Sequence, residues 1–244
     1  MGSALNETRQ VYERLWHGAV PAFGRNDFEF DHHLLNKSQD LRRGLTLALR
    51  PCPKVQALIK AFLLELANAA PGQYFYRPEE FHVTSLAIIP GSESWQDKIH
   101  HLPAYQSIIS GVLKKHSKFS IAFQGVTASR DAVMIQGFPG DDTLAQIRDE
   151  LREALRQNKF GEQLDVRYKI CTSHITAMRF CNANLEGTRL LTLLKANRTT
   201  DFGETCVANL ELILGDWYAS ANTARTLQEY KLMAQGVYSK SNDD

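Results

Sequence analysis

Net charge is the first thing this chain lacks: 244 residues carry a formal +1. The basic surplus with which proteins grip long nucleic acid without sequence preference is missing. A small or short anionic ligand is therefore the expected partner, and long nucleic acid is not. Cysteine is sparse too. Cys52, Cys171, Cys181 and Cys206 include no CxxC pair, and no histidine stands at a zinc-finger interval from them. That pattern excludes the common zinc modules and reads as reduced, structural thiols of a cytoplasmic protein. No long hydrophobic run occurs either. The most apolar stretch, Val55 to Leu66, contains Lys60 and Glu65 and is too short to span a bilayer. The start shows no basic segment followed by an apolar one, so no secretory signal is read. Met1-Gly2 is followed at position 6 by Asn, where a myristoylation site wants Ser or Thr. The expectation is a monomer away from membranes.

What is present suits a globular core: 43% hydrophobic and 23% charged residues. The length fits one large domain or two compact lobes. Residues 1–40 are polar and irregular, with one helix expected from about Asn6 to Trp16, and read as an N-terminal extension of unassigned role. Residues 41–236 read as the main two-lobed domain, and 237–244 as a flexible tail.

Leu45, Leu47 and Leu49 alternate with smaller residues up to Pro51, which predicts a strand. Val55, Leu58, Ile59, Phe62, Leu63 and Leu66 recur at helical spacing before Pro71-Gly72. A strand over 81–89, closed by Pro90-Gly91, and a helix burying Ile108, Ile109, Val112 and Leu113 follow. Two strands, 119–123 and 132–136, precede a helix capped by Gly140-Asp141-Asp142 with Leu144, Ile147, Leu151 and Leu155 inside. A long strand over 166–180, a short helix capped by Asn184, and strands over 206–218 and 225–233 complete the pattern. The two halves echo each other. They predict an α+β fold: two pseudo-symmetric lobes of antiparallel sheet with outer helices, motif strands facing a central cleft.

Each half holds one His-x-Thr, His82-Val83-Thr84 and His174-Ile175-Thr176, inside an apolar strand. Residues i and i+2 of a strand share a face, roughly 6.5 to 7 Å apart. His82 with Thr84, and His174 with Thr176, can each lay an imidazole and a hydroxyl over one phosphate. Two such strands side by side supply what substitution at phosphorus needs: a base, an acid, and donors for the equatorial oxygens. No metal or cofactor is required. Free imidazoles titrate near 6.5, so a pair sharing one phosphate is expected to give a bell with limbs at about pH 6 to 7.5. One His-x-Thr alone is most often two ordinary strand residues; the paired placement carries the reading.

The first copy, Pro78-Glu79-Glu80-Phe81-His82-Val83-Thr84-Ser85-Leu86, and the second, Ser173-His174-Ile175-Thr176-Ala177-Met178-Arg179-Phe180, resemble the motif strands of the 2H phosphoesterase superfamily. That superfamily includes RNA 2′,5′-ligases and cyclic phosphodiesterases. The strand from Arg43 to Pro51 and the segment from Leu212 to Tyr230 are similar as well, so the resemblance covers about residues 40 to 235. The chain departs in having Ser85 and Ala177 where the family has Leu after each Thr, and Ser173 where a proline often precedes the second His. The resemblance implies His82 and His174 as acid and base, with Thr84 and Thr176 binding phosphate. It implies a metal-independent phosphodiesterase acting on the cyclic phosphate of a nucleotide, short RNA end or ADP-ribose derivative. The alternatives are a phosphonucleotide-binding module without turnover, and RNA 2′,5′ ligation.

Other features carry less. Asp31-His32-His33 spells the core of a metal-dependent phosphoesterase motif, but the further Asp and His clusters such a site needs are missing, so no metal ligand is assigned. His100-His101 reads as a solvated helix end. Tyr74, Tyr76 and Trp217-Tyr218 are aromatic candidates for stacking on a base, or else anchors of sheet edges. On an unbroken strand Arg179 falls on the face opposite His174 and is left out of the site.

Overall fold

The leucines at 45, 47 and 49 build β1 (Arg43–Leu49), an inner strand of the computed structural model, which describes residues 3–234 apart from Arg167. β1 lies between β3 (Val83–Ser92) and β8 (Asn209–Gly215), and β9 (Arg225–Lys231) closes this first antiparallel sheet. The second sheet runs β2 (Tyr74–Phe75), β6 (Ile175–Arg179), β5 (Ala132–Pro139), β4 (Phe119–Ala128), β7 (Asp201–Val207), again antiparallel throughout. Helices cover the sheets. α2 (Pro53–Ala69) starts at a proline, where no intrahelical N–H is needed, and turns Val55, Ile59, Phe62 and Leu66 inward against β7. After the short α3 (Gln96–Ile99), α4 (Leu102–Leu113) packs on α5 (Thr143–Gln157), and α5 reaches β3. α6 (Gly187–Ala196) lies against α2 and against α1 (Ser3–Gly24). Two antiparallel sheets with outer helices make the two-lobed α+β architecture. No helix among the described residues is long and apolar enough to cross a membrane.

Several expectations need correction. The lobes are not successive halves of the chain. The stretch 206–218 is two strands broken at Ala208, β7 and β8, and they belong to different sheets. The first sheet therefore joins β1 and β3 to the last two strands, and the motif strands β3 and β6 lie in separate sheets rather than side by side. β3 runs on through Pro90-Gly91 because it is an edge strand, where a missing N–H breaks no ladder. The last helix starts at Gly187, whose N–H donates to the Asn26 side chain at 2.8 Å, and not at Asn184. The N-terminal helix spans Ser3–Gly24 and buries Tyr12, Ala19, Ala22 and Phe23. The expected tail, 237–244, lies outside the described residues.

The long strand expected over 166–180 shrinks to Ile175–Arg179 for a local reason. At Ser173 the chain crosses β5 so closely that a Cβ on Gly137 would stand 2.0 Å from the Ser173 carbonyl oxygen. Direct pairing is replaced by a side chain. The buried Tyr12 hydroxyl donates to the Gly137 carbonyl (3.1 Å) and accepts from Gly137 N (3.2 Å) and Ser173 N (3.1 Å). Thr8 of the same helix donates to the Cys171 carbonyl at 3.0 Å. Burial pushes the Tyr12 phenol well above its ordinary value, so it stays a neutral donor and acceptor. Tyr12→Phe strands three buried backbone groups and should cost about 1–3 kcal/mol of stability, read as a lower denaturant midpoint with an unchanged slope. An unchanged midpoint would mean that another group fills the gap.

Candidate active site

His82 stands between a 3₁₀ turn, Pro78–Glu80, and the first residue of β3. Proline opens the turn and the Glu80 carboxylate closes it, accepting from Arg77 N at 3.0 Å. Buried Glu80 also takes the Tyr74 hydroxyl (3.1 Å) and Ala221 N (3.2 Å). Its carbonyl accepts from His82 Nδ1 at 2.8 Å. A carbonyl can only accept, so Nδ1 carries the hydrogen and the Nε2 of the neutral ring is left with its lone pair. His174 likewise directly precedes β6, and its Nδ1 meets the Thr172 hydroxyl at 2.9 Å. A hydroxyl gives or takes, so this tautomer is free to change.

His82, Thr84, His174 and Thr176 all line one cleft of about 310 Å³ between the sheets. The cleft brings together the four residues singled out by spacing. It also holds one that strict alternation puts elsewhere. Arg179 lines the cleft, and the reason is a β-bulge. Along β6 the register slips between the pairs Val133–Met178 and Met134–Thr176, so Ala177 is an extra residue. The extra residue inverts the alternation and sends Arg179 to the face of Thr176. β3 slips in the same place, between Leu47–Leu86 and Ala48–Thr84, and there Ala87 is the residue turned into the cleft. The two motif strands are thus bulged alike, His-x-Thr-x-x-Ala against His-x-Thr-x-x-Arg. Arg179 donates to the Tyr76 hydroxyl (3.1 Å) and to Asp131 (2.9 Å), which in turn accepts from Ser129 at 2.5 Å.

The electrostatics keep both imidazoles neutral in the free cleft. Burial, opposed by the Glu80 carbonyl, lowers His82 from its ordinary value. His174 is pushed down to about 4, first by burial, then by the charge of Arg179, by the neighbouring imidazole of His82 as it takes a proton, and by the charge of Arg148, with Asp131 acting the other way. The expectation of limbs near pH 6 to 7.5 holds for free imidazoles and shifts accordingly.

Around this centre, Tyr76, Tyr168 and Trp217 line the cleft as well. Tyr168 is 64% exposed and stands at the rim. Its loop is tied down by Asp165, which takes the Arg152 guanidinium at 2.6 and 3.2 Å. Tyr74 and Tyr218 are not cleft residues: Lys37 lies over both rings and donates to the Tyr74 hydroxyl at 2.6 Å. Asp31 caps the 3₁₀ helix His32–Gln39 through His33 N and accepts from the Tyr218 hydroxyl at 2.8 Å. His101 packs against Phe160 with ring centroids 5.2 Å apart. Among the described residues no group of three or more His, Cys, Asp or Glu side chains could hold a metal ion.

No family model matches the chain, and neither does any curated protein sequence. Solved structures do. TT0787 of Thermus thermophilus is similar over 80% of this chain and 100% of its own, with 16% identity and a TM-score of 0.59. A structure described as a phosphoesterase is similar over 78% of this chain and 99% of its own, with 13% identity and a TM-score of 0.52. E. coli LigT, complexed with 3′-AMP, is similar over 79% and 99%, with 13% identity and a TM-score of 0.51. At such identities the likeness is one of fold, and the chain has the two-lobed fold of these phosphoesterase and LigT structures.

Proposed function

We propose that the cleft hydrolyses a cyclic phosphate, that of a 2′,3′-cyclic nucleotide, an RNA end or an ADP-ribose derivative, by acid–base catalysis between two histidines. The observation that carries this reading is the convergence of two imidazoles, two threonines and one arginine in a single cleft. His174, held neutral by burial and by the cations around it, is the base that takes a proton from water. The water oxygen bonds to phosphorus and the bond from phosphorus to one ribose oxygen breaks. His82, less encumbered by positive charge, gives that oxygen its proton. The anionic substrate raises both imidazoles, so the pair holds the one proton the reaction passes along. Thr84 and Thr176 donate to the non-bridging oxygens, and Arg179 offsets the charge gathering there. Nothing in this route calls on a metal. The LigT structures with 3′-AMP and with ATP fit a nucleotide as the ligand class. A monomer acting in the cytoplasm is the simplest form of the proposal.

The test is a panel of cyclic phosphates assayed with and without chelator. Turnover that survives EDTA is expected. Tight binding of every candidate without product would make the chain a binding module instead. Each Thr→Ala variant, at 84 or 176, should lose about 10- to 100-fold in kcat/KM, the worth of one hydrogen bond to a charged oxygen. The kcat/KM profile reports the free protein. The rate rises with pH as His174 loses its proton, near 4, and falls as His82 loses its own, below 6.5. The optimum should therefore lie on the acid side of 6.5, and an optimum at about 8 would refute the assignment of roles.

A further inference from the structure

His82 and His174 must keep a set separation although β3 and β6 belong to different sheets. A single side chain links their segments from behind the cleft. Arg148, on α5, is 3% exposed. Its Nε donates to the Ser85 carbonyl at 2.9 Å, and its Nη2 donates both to the Thr84 carbonyl at 2.9 Å and to the Thr172 carbonyl at 2.7 Å. Thr84 stands two residues after His82. Thr172 stands two before His174 and bonds to its ring. We propose that Arg148 is a positioning residue for the histidine pair: one planar guanidinium spans both motif segments and fixes the gap across which a phosphate is held. This rests on the two-histidine reading above.

The choice of arginine is informative. Three carbonyls in two directions match a rigid fork, which a lysine's single ammonium cannot reproduce. Among the described residues no carboxylate forms an ion pair with Arg148, whose charged or titratable surroundings are Arg152, Tyr12, Cys171 and Asp149. A buried, unneutralised cation is a costly fastener. It earns a place where its charge also acts, and His174 feels it along with Arg179, His82 and Asp131. Burial lowers the guanidinium to about 10, so it remains a cation at neutral pH.

The experiment compares wild type, Arg148→Lys and Arg148→Gln. Imidazole NMR signals are titrated with pH and then with inorganic phosphate, and kcat is measured on 2′,3′-cyclic AMP. Arg148→Gln removes the charge, so His174 should titrate at higher pH than in wild type. Arg148→Lys keeps the charge and loses the fork, so His174 should stay close to wild type while phosphate affinity and kcat each fall about tenfold or more. Arg198→Lys, which gives up a guanidinium bond to the Val126 carbonyl and bonds to neither motif segment, controls for lost stability and should alter neither. Wild-type phosphate affinity and kcat in Arg148→Lys overturn the proposal. So does a failure of that variant to fold, which would make the residue a structural fastener only. The phosphate and proton titrations need no turnover. If they move as stated while wild type itself converts no cyclic phosphate, the reading of the reaction fails and the clamp stands.

Discussion

Replacing either His82 or His174 with alanine is expected to lower turnover of a cyclic phosphate by about 10²- to 10⁴-fold, the usual worth of a positioned acid or base. The double variant should be little worse than the worse single one. On the proposed route both groups act in one transition state, and once either proton transfer is lost the other has nothing to complement. The two singles should differ in shape as well as size. His174→Ala removes the proposed base, so the rising limb of the kcat/KM profile near pH 4 should vanish. His82→Ala removes the proposed acid, so the falling limb should go instead. Full turnover in the double variant would place the chemistry elsewhere, and Asp31-His32-His33 would be the first segment to re-examine.

Arg179→Met is the second large effect expected, a loss of about 10²- to 10³-fold in kcat. The side chain is 15% exposed and is aimed by Tyr76 and Asp131. A cation so fixed meets charge as it develops on phosphorus without having to reorient. Removing it should also let His174 take a proton more readily, because Arg179 is among the charges that hold that imidazole down. The rising limb should therefore move to higher pH. A loss in kcat without that movement would mean that Arg179 acts only through Tyr76 and Asp131.

Some of this is open to inspection in the primary structure and some is not. The pairs His82 with Thr84 and His174 with Thr176 are local, and a spacing of two survives wherever the backbone stays extended. Arg179 escapes such a reading because a bulge depends on the register with a neighbour. Only the slip between Val133–Met178 and Met134–Thr176 turns it inward. The first copy has Ala87 at the matching place, so no repeated arginine marks the position. Arg148 follows Leu144 by four residues and precedes Leu151 by three, which puts a charge on the apolar face of α5. That misfit is visible, and its partners are not. The lobes could not be assigned because apolar alternation continues from β7 into β8, while Ala208 moves the chain from one sheet to the other. The short β6 follows from Tyr12, a residue 161 positions away from the Ser173 it holds.

The interleaving of the sheets has a consequence for how the protein comes into being on the ribosome. A chain that has emerged only as far as Val207 contains every strand of the second sheet but only β1 and β3 of the first. A lone two-stranded ribbon is marginal in water. β1 gains its second neighbour only when β8 has been translated, and the edge of β8 is covered only by β9. His82 is thus made early and stabilised late, whereas His174 can settle against a sheet already complete. Pairing across such sequence separations is slow. Until β8 and β9 have been translated, the nascent polypeptide holds one motif strand in a finished sheet and the other in an unfinished one, and a ribosome that stalls before residue 209 would release a chain with one lobe finished and the other without its partner strands.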